Sequence, residues 1–83
     1  MLTLEKVKEH LRIDFADNDN LLKLLISGAT ARASAITGVD YYYELMPYDI
    51  EMAILEDISQ AYAGGSFDKS THIYRQHSIR PML

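Results

Sequence analysis

Apolar side chains recur along the first two thirds of this chain at helical rather than strand spacing. Leu4, Val7 and Leu11 are three and then four apart, one face of a short helix. Thr3 stands before them as an N-cap and Glu5 lies in the first turn, where the helix dipole favours negative charge. The run from Asp14 to Asn20 breaks the pattern with Asx residues, which suit turns and caps, and reads as a loop opening a second helix. From Asn20 to Thr37 there is no proline, and Leu22, Leu25, Ile26, Ala29, Ala33 and Ile36 fall on one stripe. Gly28, Ala29, Ala31, Ala33, Ser34 and Ala35 make its second half small enough for a neighbouring helix to approach closely. Gly38 follows as the left-handed stop.

Tyr41-Tyr42-Tyr43 has strand propensity but no partner strand, so residues 39–46 read as a loop. Pro47 fits the first position of a third helix, with Asp49 and Glu51 at its positive end. Ile50, Ala53, Ile54, Ile58 and Ala61 form its main stripe, and Tyr48, Met52, Leu55 and Tyr62 a second one beside it. The two together are wider than one intramolecular contact needs, as on a helix packed from two directions. Gly64-Gly65 ends it. Beyond, Phe67, Ile73, Tyr74, Ile79, Met82 and Leu83 show no sustained period. The reading is an all-α fold: a small bundle of three main helices at 1–65, followed by a less regular, basic C-terminal tail at 66–83.

Eighty-three residues make one small domain, with a radius of gyration expected near about 12 Å. An apolar fraction of 48% is that of a globular chain, and no run is long enough to span a membrane. The start lacks the basic-then-apolar order of a signal peptide, so a soluble, cytoplasmic protein is expected. With no cysteine, disulfides, thiolate metal sites and cysteine nucleophiles are excluded.

The net charge of −4 is unevenly spread. Residues 1–65 carry five Lys/Arg against eleven Asp/Glu, whereas 66–83 carry Lys69, Arg75 and Arg80 against Asp68 alone. An acidic body is a poor surface for phosphates. The second helix has only Lys23 and Arg32, and the third has no base, which argues against a helix-turn-helix DNA reader. The basic end suits an acidic neighbour, including the body of another copy.

No catalytic set emerges. His72 and His77 are five apart with no acidic third ligand beside them, and His10 suits the last turn of the first helix. Asp14, Asp17 and Asp19 resemble a calcium loop only in alternation, because neither register puts glycine sixth. They are expected to cap a helix. Glu56-Asp57 reads as a solvated face, and Gly64-Gly65 lacks the Lys-Ser/Thr of a phosphate loop. No enzyme, metal or cofactor is expected. Five of the six tyrosines lie at 41–43, 48 and 62, flanked by acids; they suit either a core cap or a protein interface, not a nucleic acid.

The opening, from Leu2-Thr3-Leu4-Glu5-Lys6 to Leu11-Arg12-Ile13-Asp14, resembles the start of the gp6-like head–tail connector proteins of tailed phages and prophages. So do Asn20-Leu21-Leu22-Lys23-Leu24-Leu25-Ile26-Ser27-Gly28-Ala29 closing on Thr37-Gly38, and Met46-Pro47-Tyr48-Asp49-Ile50 leading into Ala53-Ile54-Leu55. The resemblance covers roughly residues 2–63; after it, Gly64-Gly65 cuts a helix that family members usually continue. It implies a structural protein of the virion, assembled in the host cytoplasm. The resemblance implies a head-completion adaptor that forms a homo-oligomeric ring beneath the portal vertex and links the DNA-filled head to the tail. Its implied partners are itself, the portal protein and a tail or stopper protein, with DNA passing through the ring channel. The candidate interface comprises Tyr48, Met52, Leu55, Tyr62, Ile73, Tyr74, Arg75 and Arg80. The rival reading is a small acidic regulatory protein that binds and inhibits a protein partner.

Overall fold

The computed structural model describes residues 2–14, 16–41, 45–65 and 70–77. Among them are four helices and no strand: α1 (Leu4–Leu11), α2 (Asp19–Thr37), α3 (Tyr48–Tyr62) and α4 (Thr71–Gln76). The class is all-α, as the periodicity predicts. The Cα radius of gyration is 12.6 Å. α2 and α3 pack against each other as the centre of the bundle, and α1 and α4 each lie against both.

The helix ends follow from local chemistry. Thr3 Oγ1 accepts from the Lys6 amide at 3.2 Å, the expected cap of α1. At its other end Arg12 sits at φ 58°, and the Arg12 and Ile13 amides turn back to the Glu9 and Lys8 carbonyls. That is a Schellman stop built on a non-glycine residue, with Ile13 buried as its hydrophobic contact. Gly38 (φ 80°) closes α2 as expected. Gly64 (φ 95°) does the same for α3: its amide reaches the Ala61 carbonyl and the Gly65 amide the Gln60 carbonyl.

Two expectations at helix starts are corrected. Pro47 occupies the N-cap of α3 in an extended conformation (φ −59°, ψ 153°), so the first helical residue is Tyr48. Proline's fixed φ suits either position; here ψ decides. Asn18 takes the N-cap position of α2 but does not cap it with its side chain. Its Nδ2 donates instead to Tyr62 Oη at 2.8 Å, tying the loop before α2 to the end of α3.

The core follows the two main stripes. Leu22, Ile26, Ala29 and Ala33 of α2 are buried with Ile50, Ala53, Ile54 and Ile58 of α3, and Val7, Leu2 and Ile13 close it from the α1 side. Tyr41 is also buried, its amide donating to Ser34 Oγ at 3.2 Å, so this tyrosine belongs to the core. Tyr42 and Tyr43 lie outside the described residues. The small half of α2 divides: Ala29 and Ala33 are buried, whereas Gly28, Ala31 and Ala35 face outward.

Candidate functional site

The candidate residues lie at two places, the outer side of α3 and the seat of α4. On α3, Tyr48 is 75% exposed and Met52 38%. They lie on the side of the helix opposite Ile50 and Ile54. Leu55 belongs to the same stripe but is only 5% exposed, because α1 covers it. Tyr62 is half-buried, with its hydroxyl taken by Asn18. Between α1 and α3 an open cleft of about 260 Å³ is lined by Lys6, Glu9, His10, Met52 and Leu55. Lys6 Nζ meets Glu51 Oε1 at 2.5 Å at this junction of the two helices.

The second place is built by α4. Tyr74 is fully buried and donates its hydroxyl to Asp57 Oδ2 at 2.7 Å. Asp57, whose sequence position reads as a solvated face, is itself fully buried. The reason is α4, which covers a side of α3 that a three-helix bundle would leave open. Arg32 of α2 completes the group. Its Nη1 lies 3.7 Å from the same Asp57 oxygen, and its Nη2 donates to Thr71 Oγ1 at 2.6 Å. Ser70 Oγ donates to the Ala53 carbonyl at 3.1 Å. Asp57 Oδ1 faces no hydrogen-bond donor at close range among the described residues.

Electrostatics here are set by desolvation. Burial pushes the Asp57 carboxyl above the ordinary carboxylate value, against the Tyr74 hydroxyl, Ser70 and Arg32, which pull it down. Burial, and then the neighbouring Asp57, push the Tyr74 phenol up as well. At the far end of α4, His77 Nε2 meets Asp49 Oδ2 at 2.5 Å, and chiefly that hydrogen bond holds the Asp49 carboxyl below its usual value. Ile73 packs partly buried against the core, and Arg75 is exposed. Arg80 lies outside the described residues.

Among the described residues no three His, Cys, Asp or Glu side chains are grouped to hold a metal ion. Asp19 pairs with Lys8 Nζ at 2.9 Å, and His10 and His72 are exposed. No described helix is long and apolar enough to cross a membrane. What the surface does offer is large apolar side chains in water: Tyr48 and Met52, and also Leu21, Leu24 and Leu45. The two α2 leucines lie off the buried stripe of that helix. Their signal is that Leu21-Leu22 and Leu24-Leu25 are adjacent pairs, of which one face of a helix can hold only one member each.

A family model for the phage gp6-like head–tail connector protein matches residues 1–79. The chain belongs to that family. The match runs past residue 63, where the resemblance in the sequence stops, and takes in Gly64-Gly65 and the whole of α4. No curated protein and no solved structure matches the chain. The gp6-like connectors are structural proteins of the phage head–tail junction. In this connector Tyr48, Met52, Leu21, Leu24 and Leu45 are exposed apolar side chains, whereas the α4 seat is buried.

Proposed function

We propose that this chain is a head-completion adaptor that assembles as a homo-oligomeric ring at the portal vertex and links the DNA-filled head to the tail. The observation that carries this reading is the family match over residues 1–79, nearly the whole chain. The surface supports it, since Tyr48, Met52, Leu24 and Leu45 are large apolar groups exposed among the described residues, as interface residues of a free subunit are. Tyr48 and Met52 contact a neighbouring subunit, with Tyr62 at the edge of that contact. Ile73, Arg75 and Arg80 serve the portal or the next subunit from the basic end. Leu55 and Tyr74, buried within the chain, act by holding the surfaces that α1 and α4 present. The protein works without catalysis, cofactor or sequence-specific DNA contact: DNA passes through the ring channel. It assembles in the host cytoplasm and ends in the virion.

The test is reconstitution with the purified portal protein of the same phage. Co-sedimentation and negative-stain images are expected to show the chain as a ring of subunits extending the portal channel. A chain that binds neither portal nor tail-completion protein, and instead binds one host protein tightly, overturns the reading in favour of an inhibitor.

A further inference from the structure

α2 has an outer face that its helix period separates cleanly from the core. Leu24 is 71% exposed and Leu21 45%, and both lie on the side away from Leu22, Ile26 and Ala33. Gly28, Ala31 and Ala35 continue the same side and are all exposed, so the face stays apolar and low along the helix. α3 has a comparable outer face in Tyr48 and Met52, of which Met52 lines the α1–α3 cleft, and Leu45 (96% exposed) lies just before the helix. Because α2 and α3 pack through their inner sides, the two outer faces point away from each other. They cannot meet within one molecule. A second copy can bring them together.

Charge favours that pairing. Arg32 and Asp57 are taken up in the α4 seat and Asp19 is paired with Lys8, which leaves Lys23 on α2 facing solvent, whereas α3 presents Asp49, Glu51 and Glu56 and no base. Lys23 flanks this face about a quarter turn round the helix, on the side toward Leu2 and Leu4, is exposed, and makes no ion pair among the described residues. Two α2 faces brought together would oppose like charges, and two α3 faces would do so more strongly. An α2 face against an α3 face is attractive.

We infer that the subunit contact is heterologous: the Leu21–Leu24 face of α2 in one copy seats over Tyr48, Met52 and the α1–α3 cleft of the next. Such a contact uses a different patch on each partner and leaves one of each free, so it propagates until it closes. The cleft, floored by Leu55, receives Leu24, and Lys23 is placed toward the acidic start of α3. This assignment rests on the ring-forming reading and specifies its junction.

Two exposed substitutions test it, Leu24→Asp and Met52→Asp, with native mass spectrometry over a concentration series and thermal unfolding as a check of the fold. The wild type is expected to form higher oligomers, and each variant alone to remain monomeric, with association weakened at least about a hundredfold by the buried carboxylate. Mixed in equal amounts, the two variants each keep one good face and are expected to yield a one-to-one dimer and nothing larger. A second measurement uses the absence of native cysteine. Leu24→Cys and Met52→Cys chains, mixed and oxidised, are expected to give mixed disulfide dimers in excess over either homodimer. Wild-type oligomers that survive Leu24→Asp, or a predominance of Leu24→Cys homodimers, overturn the face assignment and leave the ring standing. A wild type that stays monomeric to millimolar concentration overturns the self-contact itself. Loss of portal binding by Leu24→Asp in such a monomer would assign the α2 face to the portal instead. Portal binding, measured separately, decides the connector reading.

Discussion

The Tyr74 hydroxyl donates to the Asp57 carboxylate at 2.7 Å across seventeen positions of sequence, and both side chains are fully buried. This one bond joins the six-residue α4, too short to be stable alone, to the middle of α3. Arg32 brings α2 into the same group through Thr71. The seat of α4 therefore combines a buried aromatic ring with polar contacts that join α4 to both α2 and α3.

Tyr74→Phe keeps the ring and removes the donor. The Asp57 carboxylate then loses its shortest contact and keeps the Arg32 guanidinium at 3.7 Å and the more weakly placed Ser70. The variant is expected to lose about 1.5–3 kcal/mol of stability in chemical denaturation, the range for a buried hydrogen bond to a charged group. Unchanged stability would show that α4 is held by the ring alone.

Asp57→Asn keeps an acceptor for Tyr74 and removes the buried charge. Because the folded-state carboxyl is raised above its ordinary value of 3.8, folding favours its protonated form. Wild-type stability therefore loses a contribution as pH rises from 3.8 to the folded value, and the Asn variant does not. The stability difference is expected to move in favour of Asp57→Asn over that rise and then level off. Asp49 has the opposite sign: its lowered carboxyl contributes stability that disappears as pH falls through the folded value, and Asp49→Asn abolishes that acid-side loss. Denaturation midpoints at a series of pH values separate the two.

Arg12 and Gly64 occupy the same left-handed stop position at the ends of α1 and α3. Arg12→Gly relieves a side chain of an unfavourable φ and is expected to stabilise the chain by about 0.5–1 kcal/mol, after the entropic cost of glycine. Gly64→Ala is expected to destabilise by about 1 kcal/mol from φ alone, since nothing lies near a Cβ added there. Thermal midpoints moving the same way for both would contradict this account of the two stops.

Met52 and Leu55 lie on one stripe of α3 but differ in cover. Leu55→Asp puts a carboxylate under α1 and is expected to cost at least about 3 kcal/mol, unfolding much of the protein. Met52→Asp is expected to change monomer stability by less than about 1 kcal/mol. Circular dichroism during urea titration reads both, and identical losses would mean that Met52 is covered in solution.

The three longer helices, their order and the identity of the core stripes are legible in the chain itself, because a period of three and four marks a buried helical face without reference to any partner; the short α4, inside a stretch with no sustained period, is not. Thr3 and Gly38 were legible too, since caps and stops depend on neighbours only a few residues away. The stripe on α3 showed that it was packed from two directions, but which side α1 would cover was not written in it. That choice made Leu55 core and left Tyr48 exposed. Asp57 reads as solvent-facing for the same reason. A carboxylate beside Glu56 on an otherwise regular helix carries no sign of burial until a segment seventeen residues away supplies a hydroxyl and a cover. Local periodicity determined what forms; only the packing of α1 and α4 onto the α2–α3 pair decided which side chains water still reaches, because burial is a property of distant elements brought together and not of any one of them.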